Sequence, residues 1–122
     1  LKIFILICIV EKISIVYIMN NIYYKIIFDD SEEVNIIYFI NNIYGSETVK
    51  RCNIEHYIQN RYEVENFEKP ILSKSSYKLD DLINLCKVLD IKEVIDNDVK
   101  MKKDDIYNII ENKISLLYKI EK

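Results

Sequence analysis

The chain has 122 residues, 17 basic and 20 acidic side chains and a formal charge of −3, and it is 50% apolar and 30% charged. That balance belongs to a small globular protein rather than a disordered one. The acidic surplus lacks the cationic footprint that general DNA or RNA binding requires. One glycine and one proline exclude collagen-like, linker-rich and glycine-rich phosphate-loop designs.

Ile, Asn, Lys and Tyr are over-used, the mark of an AT-rich coding sequence. Apolar periodicity is therefore more informative here than the choice between Ile and Leu. Cys8, Cys52 and Cys86 are widely spaced and odd in number, with no CxxC. A disulfide framework or zinc site is not expected, and a reduced cytoplasmic setting fits.

Residues 1–18 form an apolar lead segment, with Ile3 to Val10 unbroken and Glu11-Lys12 interrupting the run. A membrane span needs about 20 apolar residues, so no membrane association is expected. Met19-Asn20-Asn21 reads as a start, which places residues 1–18 outside the native protein or makes them one buried strand. Residues 19–122 then read as a single domain.

Ile22 to Phe28 is β-branched and aromatic, a strand. Asp30 followed by Glu33 is a capping-box pattern, and Ile36, Phe39, Ile40, Ile43 and Tyr44 recur at helical spacing. Gly45 stands where a helix ends with positive φ. These signals predict a helix over about 31–44. Cys52, Ile54, His56 and Ile58 alternate with other residues, predicting a hairpin at about 48–67 inside an insertion at about 46–77. Pro70 and the Ser73–Ser76 cluster mark a loop.

Leu79, Leu82, Ile83, Cys86 and Leu89 form one helical stripe from about Lys78 to a break at Asp90, continued by Ile91, Val94 and Ile95. Ile106, Ile109, Ile110, Ile114 and Leu117 form a third stripe, opened by Asp104 and Asp105 where acids favour a helix start. No internal repeat is evident.

Two pieces together resemble the BTB/POZ family, over about residues 21–112. The first is the strand, acidic turn and helix ending Ile43-Tyr44-Gly45, similar to the family's Phe-x-x-Leu-Leu-x-x-Ile-Tyr-x-Gly. The second is Leu79–Val94, similar to its Val-x-x-Leu-Leu-x-x-Ala-x-x-Leu-x-Ile-x-x-Leu helix pair, with Cys86 at the small-residue position. The family's amino-terminal Phe-x-x-His-x-x-x-Leu region is missing, and Ser46–Tyr77 is longer than its usual link. The order and composition resemble the BTB-like proteins of giant DNA viruses.

The resemblance implies an α+β fold: strand and helix, a hairpin, then two or three clustered helices. It also implies a protein–protein interaction module that self-associates or joins a substrate to a cullin-type ubiquitin ligase, in the host cytoplasm if viral. Candidate partner-binding residues are Tyr38, Asn42, Glu47, Lys92 and Glu93. Tyr38 in particular is expected on the exposed face of the 31–44 helix, as an aromatic anchor.

Two other function classes compete. Residues 78–114 also resemble a SAP or Rho amino-terminal helical unit, in which Lys100, Lys102 and Lys103 would contact phosphates. Between 76 and 122, however, acids outnumber lysines by one, and Asp104 and Asp105 adjoin the would-be phosphate site. Nucleic acid is therefore not expected as a partner. As an enzyme, the chain offers Cys52 and the lone His56. On a strand they would lie about 13 Å apart, too far for a dyad. The acidic pairs Asp29/Asp30, Asp80/Asp81 and Asp104/Asp105 read as helix starts. No catalytic set, cofactor or metal site is expected.

Overall fold

The computed structural model describes residues 2–66, 69–96 and 101–121, with side chains placed for 3–66, 69–96 and 101–115. The chain divides into two compact units, residues 1–65 and 66–122. The fold class is α+β, with a five-stranded mixed sheet in the first unit and most of the helix in the second.

The first unit opens with helix α1 (Lys2–Val10), followed by strands β1 (Ile15–Met19), β2 (Ile22–Ile26), β3 (Glu33–Ile40) and β4 (Ile43–Lys50). A short 3-10 turn (Arg51–Asn53) leads to helix α2 (Glu55–Ile58) and strand β5 (Tyr62–Glu63). The spatial order is β4-β3-β1-β2-β5. β1 is antiparallel to β2 and parallel to β3, β3 is antiparallel to β4, and β5 is parallel to β2. All five residues of β1 are buried, as expected for a central strand covered on both faces. Ile15 to Ile18, placed by sequence in the lead segment, therefore belong to the centre of the sheet.

One face of the sheet carries Val16, Ile18, Tyr23, Val34 and Ile36. Ile58 buries against them, with Tyr38, Ile40, Val49, Ile54 and Tyr57 partly buried around the cluster. Buried Ser14 joins two loops at the end of the sheet. Its hydroxyl pairs with that of Ser31 at 2.6 Å and accepts the Phe28 N–H at 3.0 Å.

The helix predicted over 31–44 is instead the β3–β4 hairpin. Asn41 and Asn42 have φ of 51° and 66°, the left-handed pair that a two-residue hairpin turn of matching twist requires. The helical stripe was an accident of two strands meeting across that turn. Within β3, fully buried Val34 and Ile36 alternate with less buried Asn35 and Ile37, and the run Ile36–Phe39 is β-branched and aromatic. Ile40, placed by the sequence on the apolar stripe of the predicted helix, is half-buried. Gly45 does not have positive φ. It lies in β4 opposite Tyr38, and a Cβ there would collide with the Tyr38 ring.

The hairpin predicted at 48–67 also fails. Residues 48–50 end β4, and 51–58 are the 3-10 turn and α2. The decisive spacing is Ile54, Tyr57 and Ile58, at i, i+3 and i+4. These are the residues that pack on the sheet, and the Cys52/Ile54/His56/Ile58 alternation is incidental to them.

A repeat that the sequence reading missed is visible in the strands. Ile15-Val-Tyr-Ile-Met-Asn-Asn-Ile-Tyr-Tyr24 aligns with Ile36-Ile-Tyr-Phe-Ile-Asn-Asn-Ile-Tyr-Gly45. In a chain rich in Ile, Asn and Tyr such identity alone carries little weight. Here it coincides with structure, because both segments are hairpins closed by Asn-Asn (Met19 opposite Ile22, Ile40 opposite Ile43). The alignment offset is 21, whereas β1 and β3 lie side by side with an offset of 20 (Val16 opposite Ile36). Equivalent residues thus point to opposite faces. A half-turn about a line along the strands, combined with a shift of one residue, would superpose the two hairpins in this register.

The second unit is helical after a 3-10 turn at Lys74–Ser76. Helix α3 (Leu79–Leu89) begins where the sequence predicts, with the Asp81 carboxylate accepting the Lys78 N–H at 2.9 Å. It ends at Asp90, whose φ of 56° is left-handed. Helix α4 (Lys92–Ile95) is one turn, and α5 spans Lys103–Glu121. α3 packs on α5. Leu82, Leu85, Cys86 and Leu89 from α3 are buried, as are Ile91, Ile106, Ile110 and Ile114. Leu117, placed by sequence in the last stripe, lies outside the residues whose side chains are described.

Candidate interaction surface

The five candidate residues divide between the units. Tyr38, Asn42 and Glu47 fall on the β3–β4 hairpin, whereas Lys92 and Glu93 are exposed on α4. Tyr38 is not on a helix facing away from the apolar stripe. As an even-numbered residue of β3 it shares the face of Ile36 and Ile40, half-buried against the core cluster with its ring over Gly45. Asn42 is exposed at the hairpin turn. Glu47 is exposed on β4 and accepts a hydrogen bond from the Tyr57 hydroxyl. That bond is the main cause holding Tyr57 above its ordinary pKa. Lys92 is raised likewise by hydrogen bonding to Asp90, its Nζ lying 3.0 Å from the Asp90 carboxylate.

The hairpin presents the longer open edge of the sheet. β4 has eight residues at one border, and β5, at the other, has two. Six of the eight β4 residues are exposed. Ile43 is 66% and Tyr44 63% exposed, large apolar surfaces for an edge position. The direction of the backbone groups follows from the hydrogen bonds. Arg51 N–H donates to the Glu32 carbonyl at 2.8 Å, and antiparallel pairing alternates. Ile43, Gly45, Glu47 and Val49 therefore turn N–H and C=O towards β3, and those of Ser46 and Thr48 point outward from the edge. The equivalent edge of the first hairpin is occupied: Tyr62 N–H donates to the Asn21 carbonyl and Val64 N–H to that of Tyr23, each at 2.8 Å.

Among the described residues no other region assembles a reactive constellation. Cys52 and His56 lie in the 3-10 turn and α2 rather than on a strand, so the strand separation of about 13 Å does not apply to them. The Cys52 thiol contacts Asn53 Oδ1 at 3.7 Å. Burial raises the Cys8 thiol, and it pushes Cys86, with a contribution from Glu93, up to about 11. Asp29 and Asp30 are in a turn rather than at a helix start, while Asp80/Asp81 and Asp104/Asp105 occupy first helical turns. Among the described residues no group of three or more His, Cys, Asp or Glu is placed to hold a metal. An open depression of about 610 Å³ is lined by Ser31, Glu32, Glu33, Lys50, Arg51 and Cys52. Its Arg51 guanidinium is engaged by the Phe28 and Asp29 carbonyls at 3.3 and 2.9 Å.

On α1, Ile3, Leu6, Ile7 and Val10 are exposed, and Ile5 and Cys8 are buried. No helix among the described residues is long and apolar enough to cross a membrane. Compared with protein-family models, curated proteins and solved structures, the chain has no significant match.

Proposed function

We propose that the protein is a recruitment module that acts by docking another protein rather than by chemistry of its own. The observation that carries this reading is the open β4 edge: eight residues of strand, outward-pointing backbone groups at Ser46 and Thr48, and exposed Ile43 beside them. Such an edge recognises partners by adding a strand, with backbone hydrogen bonds giving affinity and alternate side chains giving selectivity.

The finer form of the proposal is a BTB-like adaptor serving a cullin-type ligase in the cytoplasm. Its support lies in Leu79–Val94, where α3, the turn at Asp90 and α4 follow one another as that family's helix pair does. The first half of the resemblance loses its helix to the β3–β4 hairpin. Affinity purification with the intact chain and with Ser46→Pro is the test. Ser46 N–H points outward, so proline removes an edge donor and leaves the β3 ladder intact. A stoichiometric partner held by the intact chain and lost by Ser46→Pro supports docking at the edge. A cullin among the recovered proteins supports the adaptor form.

A second reading has one favouring observation. α3 and α5 pack together with Lys102 and Lys103 at the start of α5, the arrangement that the SAP or Rho amino-terminal resemblance implies. Charge opposes it: Asp104 and Asp105 share that first turn, and Lys74 nearby already pairs with Asp104 at 3.2 Å. Salt-dependent micromolar binding to duplex DNA in a polarisation assay would favour this reading over protein recruitment.

A further inference from the structure

We infer that the occupant of the β4 edge is β4 of a second copy of the chain, paired antiparallel about a two-fold axis at Ser46. This rests on the reading of β4 as a docking edge and names its partner.

Phase, charge and apolar match select the register. A two-fold that continues the sheet must set outward-pointing residues opposite outward-pointing residues, so the axis falls on a β4 residue and faces are preserved across it. An axis at Glu47 would oppose two carboxylates, which is unfavourable. An axis at Gly45 would set Ile43 against Glu47. An axis at Ser46 sets Ser46 against Ser46 with paired backbone bonds. Ile43 then meets Val49 on both sides, and Glu47 lies across from Gly45, which has no side chain to displace its bond to Tyr57. Ile43, 66% exposed, and half-buried Val49 gain an apolar partner. The first hairpin supplies the precedent within the molecule. Its Asn21 and Tyr23 carbonyls are satisfied by the β5 segment, whereas the second hairpin has no strand beyond β4 among the described residues. A contact between identical edges closes as a dimer and does not propagate.

The experiment is sedimentation equilibrium of the full chain up to about 100 μM, in the weak range for an edge-to-edge contact, with Ser46→Lys and Ser46→Pro as variants. Ser46→Lys places two cations together at the axis, on an exposed site that tolerates lysine, and covers the case in which the proline variant does not fold. Circular dichroism melting verifies the fold of each. The expected result is a dimer for the wild type and monomers for folded variants. A wild-type monomer throughout the range would overturn self-pairing. If Ser46→Pro then still abolishes capture of a different protein, the docking edge survives and only its occupant is wrong; if capture is unaffected, both readings fail. A dimer that persists in folded Ser46→Lys and Ser46→Pro would overturn the edge as the interface.

Discussion

Replacing Gly45 with Ala distinguishes the strand from the helix end that its sequence context mimics. In the hairpin, the added Cβ enters space held by the Tyr38 ring. That ring is packed against the Val16/Ile18/Ile36 cluster, with Tyr57 on the same face. Overpacking of this kind costs about 1–3 kcal/mol, which lowers a melting temperature by roughly 4–8 °C per kcal/mol in a domain of this size. In a Tyr38→Ala background the collision is absent. Ala should then equal or exceed Gly by about 0.5–1 kcal/mol, because Gly loses more backbone entropy in a strand. The double-mutant cycle, read by urea or thermal unfolding, should therefore show coupling of about 1–3 kcal/mol. Tyr38→Ala alone should also destabilise, against the sequence expectation of a freely exposed anchor. An equal loss from Gly45→Ala in both backgrounds would contradict the strand placement, since a left-handed glycine would be penalised whether or not Tyr38 is present.

Leu82→Ala in the α3–α5 core should cost about 2–5 kcal/mol by chemical denaturation, since the side chain is fully buried. Ser14→Ala should cost about 1–3 kcal/mol, because it strands the Phe28 N–H and the Ser31 hydroxyl at a part-buried junction. Asp90→Gly should be neutral to stabilising by up to about 1 kcal/mol in melting assays: it relieves a left-handed non-glycine residue and loses only an exposed pair with Lys92. Thiol titration of the native chain at neutral pH should modify exposed Cys52 quickly and buried Cys8 and Cys86 slowly. With its folded value raised to about 11, the protonated Cys86 thiol contributes stability that is complete below the ordinary thiol range and falls as pH rises through about 11. Mutation to Ser should flatten that loss.

The second unit was legible because its helices carry complete signals. α3 has an acidic first turn, an unbroken stripe and a residue able to turn left-handed at Asp90, and α5 opens on Asp104 and Asp105. The sheet was not legible, for identifiable reasons. Across the Asn41-Asn42 turn, apolar residues of two strands fell into helical spacing, and Asp30, Glu33 and Gly45 supplied false start and stop signals. The available corrective was the Ile-Asn-Asn-Ile of the hairpin, matched by Met19-Asn20-Asn21-Ile22. Asn is among the few residues that enter the left-handed region at low cost, so an Asn pair between β-branched runs is a hairpin signal. Of the candidate surface, Asn42 and Glu47 lie on the β4 edge hairpin and Tyr38 is half-buried beneath it. Ser46 and Thr48 were missed, because an edge is a property of strand order and no local pattern announces it.

Amide hydrogen exchange along residues 33–50, followed by NMR at low and high protein concentration, reads the β3–β4 pairing and the open β4 edge residue by residue. At low concentration Gly45, Glu47 and Val49, whose N–H groups face β3, should be protected, and Ser46 and Thr48 should exchange freely. Raising the concentration should slow Ser46 and Thr48 as a second β4 pairs with the edge. Continuous protection across 36–44 with free exchange at 46–50, as a helix ending at Gly45 would give, would contradict the hairpin and the docking edge built on it.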